Sequence, residues 1–482
     1  MALYNDFRSF PRTFWVANTM ELFERWAYYG MFTVLSVYLT DPVSEGGLGF
    51  TQQQRGAMQG IVTAILYFLP ILGGALADRF GFRKVLLAAF VTLASGYFAM
   101  GQFHAYAPVF IAFLVVAVGG ALFKPIIVGT VSKTAAKGTE TLGFGIFYMI
   151  VNIGGFLGPW AASKMRDISW QYVFIMCSVV ILINLVLLMF YREPGRKEKE
   201  KETFVETIAN IFSNSITVLS NWRFDLFLVI MVGFWITYMQ LFFTVPVYIT
   251  QWIDTTVIYN HLGFLKPVFG AVDEGVGIVH PEMIINIPAF SIILFQVLMS
   301  NALKNVKPVK SMVGGTIVLI IGMGQFYFHV NGIYFAISLV IFAFGEMASS
   351  PRIQEYISSI APKEKVGVYM GYSFLPVAFG NLFGGFLSGS LYGSMSDKFN
   401  FLKDYLVENR ISTRPALDAI EDNGDLFLMA QEKLGMSARE LTQLLYQTYH
   451  PGGIWLVFAG IGLGTAVLLF LYNKFILDGS KG

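Results

Sequence analysis

Gly74-Ala75-Leu76-Ala77-Asp78-Arg79-Phe80-Gly81-Phe82-Arg83-Lys84 separates two apolar runs, 54–77 and 84–103, and its reading decides what kind of molecule this is. Each run approaches the ~20 residues a helix needs to cross a ~30 Å hydrocarbon layer. The turn between them is short and basic, so the pair reads as a membrane-spanning helical hairpin whose turn meets water. Small residues at Gly74, Ala75 and Ala77 let the two helices approach, and Asp78 falls at a helix end with basic residues beside it. The stretch is not a phosphate loop, because the spacing G-x-x-x-x-G-K-[ST] is absent.

Working outward, ten more runs of this kind follow the same rule: 15–39, 107–130, 142–163, 168–191, 225–248, 283–303, 309–328, 331–350, 366–393 and 452–476. Composition agrees. The 482 residues are 55% hydrophobic and 13% charged, with a mean hydropathy of +0.60, where a soluble domain carries about 25% charged residues. The net charge of +2 gives no basic surplus for nucleic-acid binding. The single cysteine, Cys177, excludes an intrachain disulfide and leaves no thiol cluster for a metal. The first 13 residues are polar, aromatic and basic, so no cleavable signal peptide is expected.

Lys and Arg in short loops set orientation. They occur at Arg79, Arg83 and Lys84; at Lys133 and Lys137; at Arg192, Arg196, Lys197, Lys199, Lys201 and Arg223; at Lys304, Lys307 and Lys310; and at Arg352, Lys363 and Lys365. With twelve spans these fall on one side, which puts both termini in the cytoplasm of a multi-pass plasma (inner) membrane protein. The charged stretch 192–224 divides six runs (1–191) from six (225–482) and reads as a solvated linker followed by a surface helix. Two insertions, 249–282 and 394–451, fall on the outer side. The second contains Ser437-Ala438-Arg439-Glu440, a capping-box pattern that predicts a partly helical cap and a candidate surface for an external partner. His104, His261, His280, His329 and His450 all fall at or near the outer loops, without metal-ligand spacing.

Charges inside apolar runs cost about 2.5–3.5 kcal/mol each at a helix centre, so each asks for a partner or a function. Five stand out: Glu21, Glu24 and Arg25 in the first run, Lys124 in the fourth and Glu346 in the tenth. The i, i+4 spacing of Glu21 and Arg25 puts them on one helix face. Such a group is either a fixed salt-bridge cluster or a protonatable site coupled to movement. No nucleophile–base pair, H-E-x-x-H or G-x-S-x-G suggests an enzyme, and no ATPase motif supplies energy.

The opening stretch resembles the signature of the major facilitator superfamily. Glu21-Leu22-Phe23-Glu24-Arg25-Trp26-Ala27-Tyr28-Tyr29-Gly30 resembles the E-x-x-E-R-F-x-Y-Y-G motif of proton-dependent oligopeptide transporters within it, with Trp26 for Phe. Phe147-Tyr148-Met149-Ile150-Val151-Asn152-Ile153-Gly154-Gly155, Gly120-Ala121-Leu122-Phe123-Lys124-Pro125, and Gly345-Glu346 followed by Ser350-Pro351 resemble three further motifs of that family. The resemblance implies an all-α membrane protein of the major facilitator fold, with twelve transmembrane helices in two six-helix bundles that open alternately to either side. It implies proton-coupled symport of di- and tripeptides or peptide-like small molecules, with no cofactor beyond the coupling proton, no metal, and the lipid bilayer as surroundings. Glu21, Glu24, Arg25 and Lys124 would couple protons. Lys124 would also meet the substrate carboxylate, Glu346 would contact the substrate amine or gate the site, and Tyr29, Tyr67, Asn152, Trp235 and Asn286 would line the pocket.

Three departures qualify the match. Phe32 stands where the family usually has an arginine, Met239 where it has an acid, and 192–224 has no room for the two extra helices often found between the bacterial halves. The alternative expectation is a divergent carrier or exporter of another small organic anion or amino-acid conjugate, with or without proton coupling.

Overall fold

The computed structural model describes residues 10–134, 140–194, 221–273, 275–362 and 366–478. The linker expected at 192–224 falls mostly outside that set, as do Lys137, Lys363, Lys365 and the side chain of Asp78. The amino-terminal helices are α1 Arg12–Thr40, α2 Gln52–Phe68, α3 Pro70–Phe80, α4 Phe82–Met100, α5 Tyr106–Thr134, α6 Glu140–Arg166 and α7 Trp170–Phe190. After the linker come α8 Trp222–Phe243, α9 Val245–Trp252, α10 Thr256–His261 and α11 Lys266–Phe269. A hairpin, β1 Ala271–Asp273 paired antiparallel with β2 Val276–Ile278, precedes α12 Pro281–Ile284, α13 Ile287–Leu303, α14 Pro308–Gln325 and α15 Gly332–Ile360. The chain ends with α16 Val366–Tyr372, α17 Phe374–Met395, α18 Lys398–Glu408, α19 Arg414–Asp418, α20 Asn423–Leu434, α21 Ala438–Tyr449 and α22 Gly453–Leu471.

Among the described residues, ten helical segments are long and apolar enough to cross a bilayer. The other two expected spans are also helical. One is α1, whose 29 residues include Glu21, Glu24 and Arg25; the other is the α2–α3 pair. The protein is thus an all-α, multi-pass membrane protein apart from its small hairpin, and large apolar side chains such as Ile111, Val186, Val297 and Leu468 stand exposed on its helices, as lipid contact requires.

Four spans read as continuous in the sequence are broken, and each break sits within three residues of a proline. Pro70 divides α2 from α3, Pro246 divides α8 from α9, Pro288 follows the α12–α13 break at Asn286, and Pro376 follows the break at Ser373. Proline has no N–H and its ring crowds the preceding turn, so the ladder is interrupted and a carbonyl is freed. Inside a membrane a neighbouring helix must take that carbonyl up. At Pro246 the Phe242 carbonyl accepts from Ser36 Oγ at 2.7 Å.

The chain clusters into two compact units: Met1–Met31, Val62–Leu228 and Ile357–Ala378 in one, and Phe32–Ile61, Val229–Tyr356 and Phe379–Gly482 in the other. In the first, α4 packs along α5 and α7, and α3 packs on α5. Helix α6 approaches α1 at glycines: a Cβ on Gly154 would stand 2.6 Å from the Leu22 carbonyl, and one on Gly158 2.5 Å from that of Trp26. The opening motif ends in a turn at Gly81 (φ 90°), a backbone conformation that suits glycine.

In the second unit α14 packs along α22, and α2 crosses α17 backbone against backbone, with Gly56 and Gly60 facing Gly385 and Gly389. Between α17 and α22 the expected helical insertion forms. Ser437 caps α21, accepting from the Glu440 N–H while Glu440 reaches back to the Ser437 N–H, so the capping box is complete.

Candidate functional site

In α1 three charges lie within five residues, and helical geometry decides their partners. Glu24 and Arg25 form a bidentate pair, Nε to Oε2 at 2.5 Å and Nη2 to Oε1 at 2.8 Å. Arg25 Nε also lies 3.5 Å from Oε1 of Glu21, one turn back. Lys124, carried by α5 one residue before Pro125, donates to that same Glu21 oxygen at 2.6 Å. Glu21 is thus the carboxylate that Lys124 pairs with among the described residues.

Glu21 and Glu24 are fully buried, whereas Lys124 is 36% exposed. Glu21 Oε2 is buried with no hydrogen-bond partner among the described residues. The four side chains therefore carry two positive and two negative charges, and one carboxylate oxygen that a proton can take without displacing a ligand.

Aromatic rings enclose the cluster. The Arg25 guanidinium lies 4.8 Å from the Tyr28 ring centroid and 5.8 Å from that of Tyr29, distances at which the ring face attracts a cation. Tyr67, from α2, hydrogen-bonds Tyr28, and the Lys124 ammonium lies 5.5 Å from the Phe147 ring. The structure thus brings Glu21, Glu24, Arg25, Lys124, Tyr29 and Tyr67 into one neighbourhood. Asn152 sits on α6, its amide donating to the Tyr148 carbonyl one turn back at 2.7 Å.

In the second unit, Glu346 on α15 hydrogen-bonds Tyr238 on α8, and Trp235 packs edge-on against the same tyrosine with centroids 5.4 Å apart. The Trp235 indole N–H is buried without a hydrogen-bond partner among the described residues. Asn286 lies buried at the break between α12 and α13. Phe32 is buried against Phe242 and Phe243, at 5.2 and 6.2 Å, and Met239 is buried as well. Both departures from the family pattern are therefore apolar packing positions.

The shortlist of five charges misses Arg55. It is fully buried on α2 and donates to Gln52 Oε1 at 2.9 Å, Gln59 Oε1 at 3.4 Å, Ser388 Oγ at 3.0 Å, the Ser388 carbonyl and the Phe243 carbonyl. Its position at the very start of its apolar run makes it read as a helix-end residue. The one available signal is the string of glutamines around it, Gln52, Gln53, Gln54 and Gln59, at helical spacing. Glu282, also fully buried, goes unread for the same reason, standing at the head of α12.

The major facilitator superfamily model matches residues 15–272, and the chain belongs to that family. Within it, the chain is 31% identical over 211 residues to a dipeptide and tripeptide permease A of Erwinia pyrifoliae, covering 42% of this chain and 41% of the relative. It is 26% identical over 209 residues to the peptide transporter YePEPT of Yersinia enterocolitica, covering 42% and 41%. An uncharacterized transporter of Bacillus subtilis, YclF, is 29% identical over 189 residues, 38% of each chain. The match spans about two fifths of the length of these curated relatives.

Among solved structures, a POT family transporter in complex with 5-aminolevulinic acid superposes with a TM-score of 0.68 at 16% identity, covering 97% of this chain and 99% of that one. The nucleoside transporter NupG gives 0.70 at 13% identity, covering 96% and 100%. The fold is that of the superfamily.

Proposed function

We propose that this chain is a proton-coupled secondary transporter, not an enzyme, that carries di- and tripeptides or peptide-like small molecules by alternating access. The observation that carries the proposal is the Glu21–Arg25–Lys124 arrangement, in which Glu21 is buried with one unligated carboxylate oxygen. A proton on Glu21 Oε2 removes the negative charge that holds Lys124. The partly exposed ammonium is then free for the carboxylate of an incoming substrate, so proton and substrate bind together. Glu24 takes no proton in this scheme; doubly held by Arg25, it keeps that guanidinium in place.

Tyr29, Tyr67, Asn152, Trp235, Asn286 and Glu346 are proposed to line the pocket, with Glu346 toward the substrate amine. The names of the relatives support the substrate class, and the superfamily fold supports the mechanism. The division into 1–191, a linker at 192–224 and 225–482 belongs to the same proposal, as do the inner-membrane location and cytoplasmic termini. A potential of 100 mV contributes about 2.3 kcal/mol per charge moved inward, so no ATPase is required.

Uptake of labelled dialanine into proteoliposomes under an inward proton gradient tests the reading. Gradient-driven uptake by the parent chain is expected, with its loss in Glu21→Gln. Equal uptake with and without the gradient in the parent chain would refute proton coupling. A second reading, a carrier for another small organic anion, draws on Phe32 and Met239, which leave the site without the family's second cation and its acid. Uptake of 5-aminolevulinate or another small anion, with dialanine excluded, would favour it.

A further inference from the structure

Two insertions leave the second unit at the same end. One runs from the end of α9 to α12 and the other from α17 to α22. Arg439 of the second pairs with Asp254 of the first at 3.1 Å, and the Trp252 and Tyr446 rings meet at 5.9 Å. Their surfaces differ in kind. Residues 397–450 hold nine acidic and six basic side chains, with ion pairs at Lys403–Asp418 and Arg414–Asp404. Residues 255–278 hold three charged side chains, Lys266, Asp273 and Glu274, with none before Lys266.

The weakly charged insertion is nonetheless built, not slack. The Tyr259 ring of α10 lies against Gly270 and Gly277, and the Lys266 ammonium lies 4.7 Å from its centroid. From that base the turn at Gly263 (φ 54°) holds out Phe264, which is 89% exposed, and Val268 and Val272 are exposed beside it in sequence. Its two ends join α9 and α12, which continues into α13. The exposed apolar side chains of α13, Phe290, Ile293, Leu294 and Val297, are the lipid-facing surface of a membrane span.

We infer that the 255–278 insertion is an interfacial anchor, with Phe264 seated in the leaflet at this end of the protein and the charged 397–450 insertion on its water side. Three observations carry the assignment: continuity with a membrane-facing helix, a charge density below that of 397–450, and an aromatic side chain held out beside a lysine and His261, the composition that suits the headgroup boundary. The inference is independent of the substrate.

A nitroxide at Phe264→Cys, compared with one at Leu428→Cys on α20, tests it in vesicles of phosphatidylethanolamine and phosphatidylglycerol. The native Cys177 is buried, and the unlabelled parent serves as the control. Power saturation should give an oxygen-to-nickel-chelate accessibility ratio several-fold higher at 264 than at 428. Equal ratios would place Phe264 in water and overturn the inference. Exclusion of both reagents, with spin–spin broadening, would make the occupant a second copy of the chain and overturn it equally.

Discussion

Two arginines inside the helices, Arg25 mostly buried and Arg55 fully so, solve the same electrostatic problem in opposite ways. Arg25 is compensated by charge: Glu24 holds it through two bonds, Glu21 lies within 3.5 Å, and Lys124 shares Glu21. Arg55 has no carboxylate among its direct ligands; amides, a hydroxyl and two carbonyls hold it. The first arrangement has carboxyls as direct ligands, whose charge a proton would change. The second has neutral direct ligands, with one carboxyl, Asp397, behind them, accepting from the Gln52 amide at 3.1 Å. Each also stands beside a glycine crossing, Gly154 and Gly158 against α1 in one case and Gly56 against Gly385 and Gly389 in the other. The contrast separates a cluster held by titratable carboxyls from one held by neutral acceptors.

The largest effect should come from removing one partner of the charged pair. Glu24→Gln leaves the Arg25 guanidinium without its bidentate partner, and stranding a buried charge in this way costs about 3–5 kcal/mol. Thermal unfolding in detergent should show the loss. Adding Arg25→Gln should recover part of it, because the stranded charge is then gone. A double variant no more stable than Glu24→Gln would mean that the pair is not what the carboxylate supports.

Arg55→Met should cost less per group but act on several acceptors at once. It orphans the Phe243 carbonyl, which α9 begins too late to recover, and Gln52 Oε1, while Ser388 Oγ keeps Thr244 and Gln59 Oε1 keeps Ser36. An unsatisfied buried group costs about 1–3 kcal/mol. Arg55→Lys should recover only part of that, since an ammonium cannot reproduce the five-donor fork. Unlike the effects at Glu21, both losses should be unchanged between pH 5 and 8 when unfolding is followed across that range. A loss that varies over those values would show a titrating group hidden among the ligands of Arg55.

The glycine crossings come next. Gly385→Leu and Gly154→Leu each force a side chain into backbone, and overpacking costs about 1–3 kcal/mol. The two should separate by assay. Gly154→Leu displaces α1 at Leu22 and should alter the pH profile of uptake, whereas Gly385→Leu should lower thermal stability and leave that profile's midpoint in place.

The same contrast explains what could be read from the sequence. Glu21, Glu24 and Arg25 announce themselves as charges well inside an apolar run, with spacing that fixes their common face, and Lys124 follows because it is equally deep. Those four are placed together by the fold. Arg55 is not legible in this way, because a charge at the edge of a run looks interfacial until the start of α2 is seen crossing α17. The helix breaks were half legible. Pro70, Pro246, Pro288 and Pro376 are visible in the sequence, yet whether a proline kinks or divides a span depends on a neighbour that can accept or donate, such as Ser36 for the Phe242 carbonyl. That is tertiary information.

The smallest expected effect lies outside the membrane spans, in the charged insertion, and it marks the limit of the comparison by showing what surface carboxylates do. Lys403 donates a hydrogen bond to Asp418, with Arg414 close by, and holds its carboxyl below the ordinary aspartate value. The Ser437 backbone N–H and hydroxyl do the same for Glu440. Groups held low in the folded state bind fewer protons folded than unfolded. Their stabilisation is therefore complete above the ordinary values of 3.8 and 4.5 and is lost as pH falls through the lowered ones. Hydrogen exchange over 398–449 should stay flat from pH 8 to 5, after correction for intrinsic rates, and protection of α19 and the first turn of α21 should fall only in stronger acid. Both carboxylates are exposed and screened by solvent, so the change should be slight. Loosening of this insertion already between pH 7 and 5 would instead place a proton-sensitive element there, apart from the Glu21 cluster.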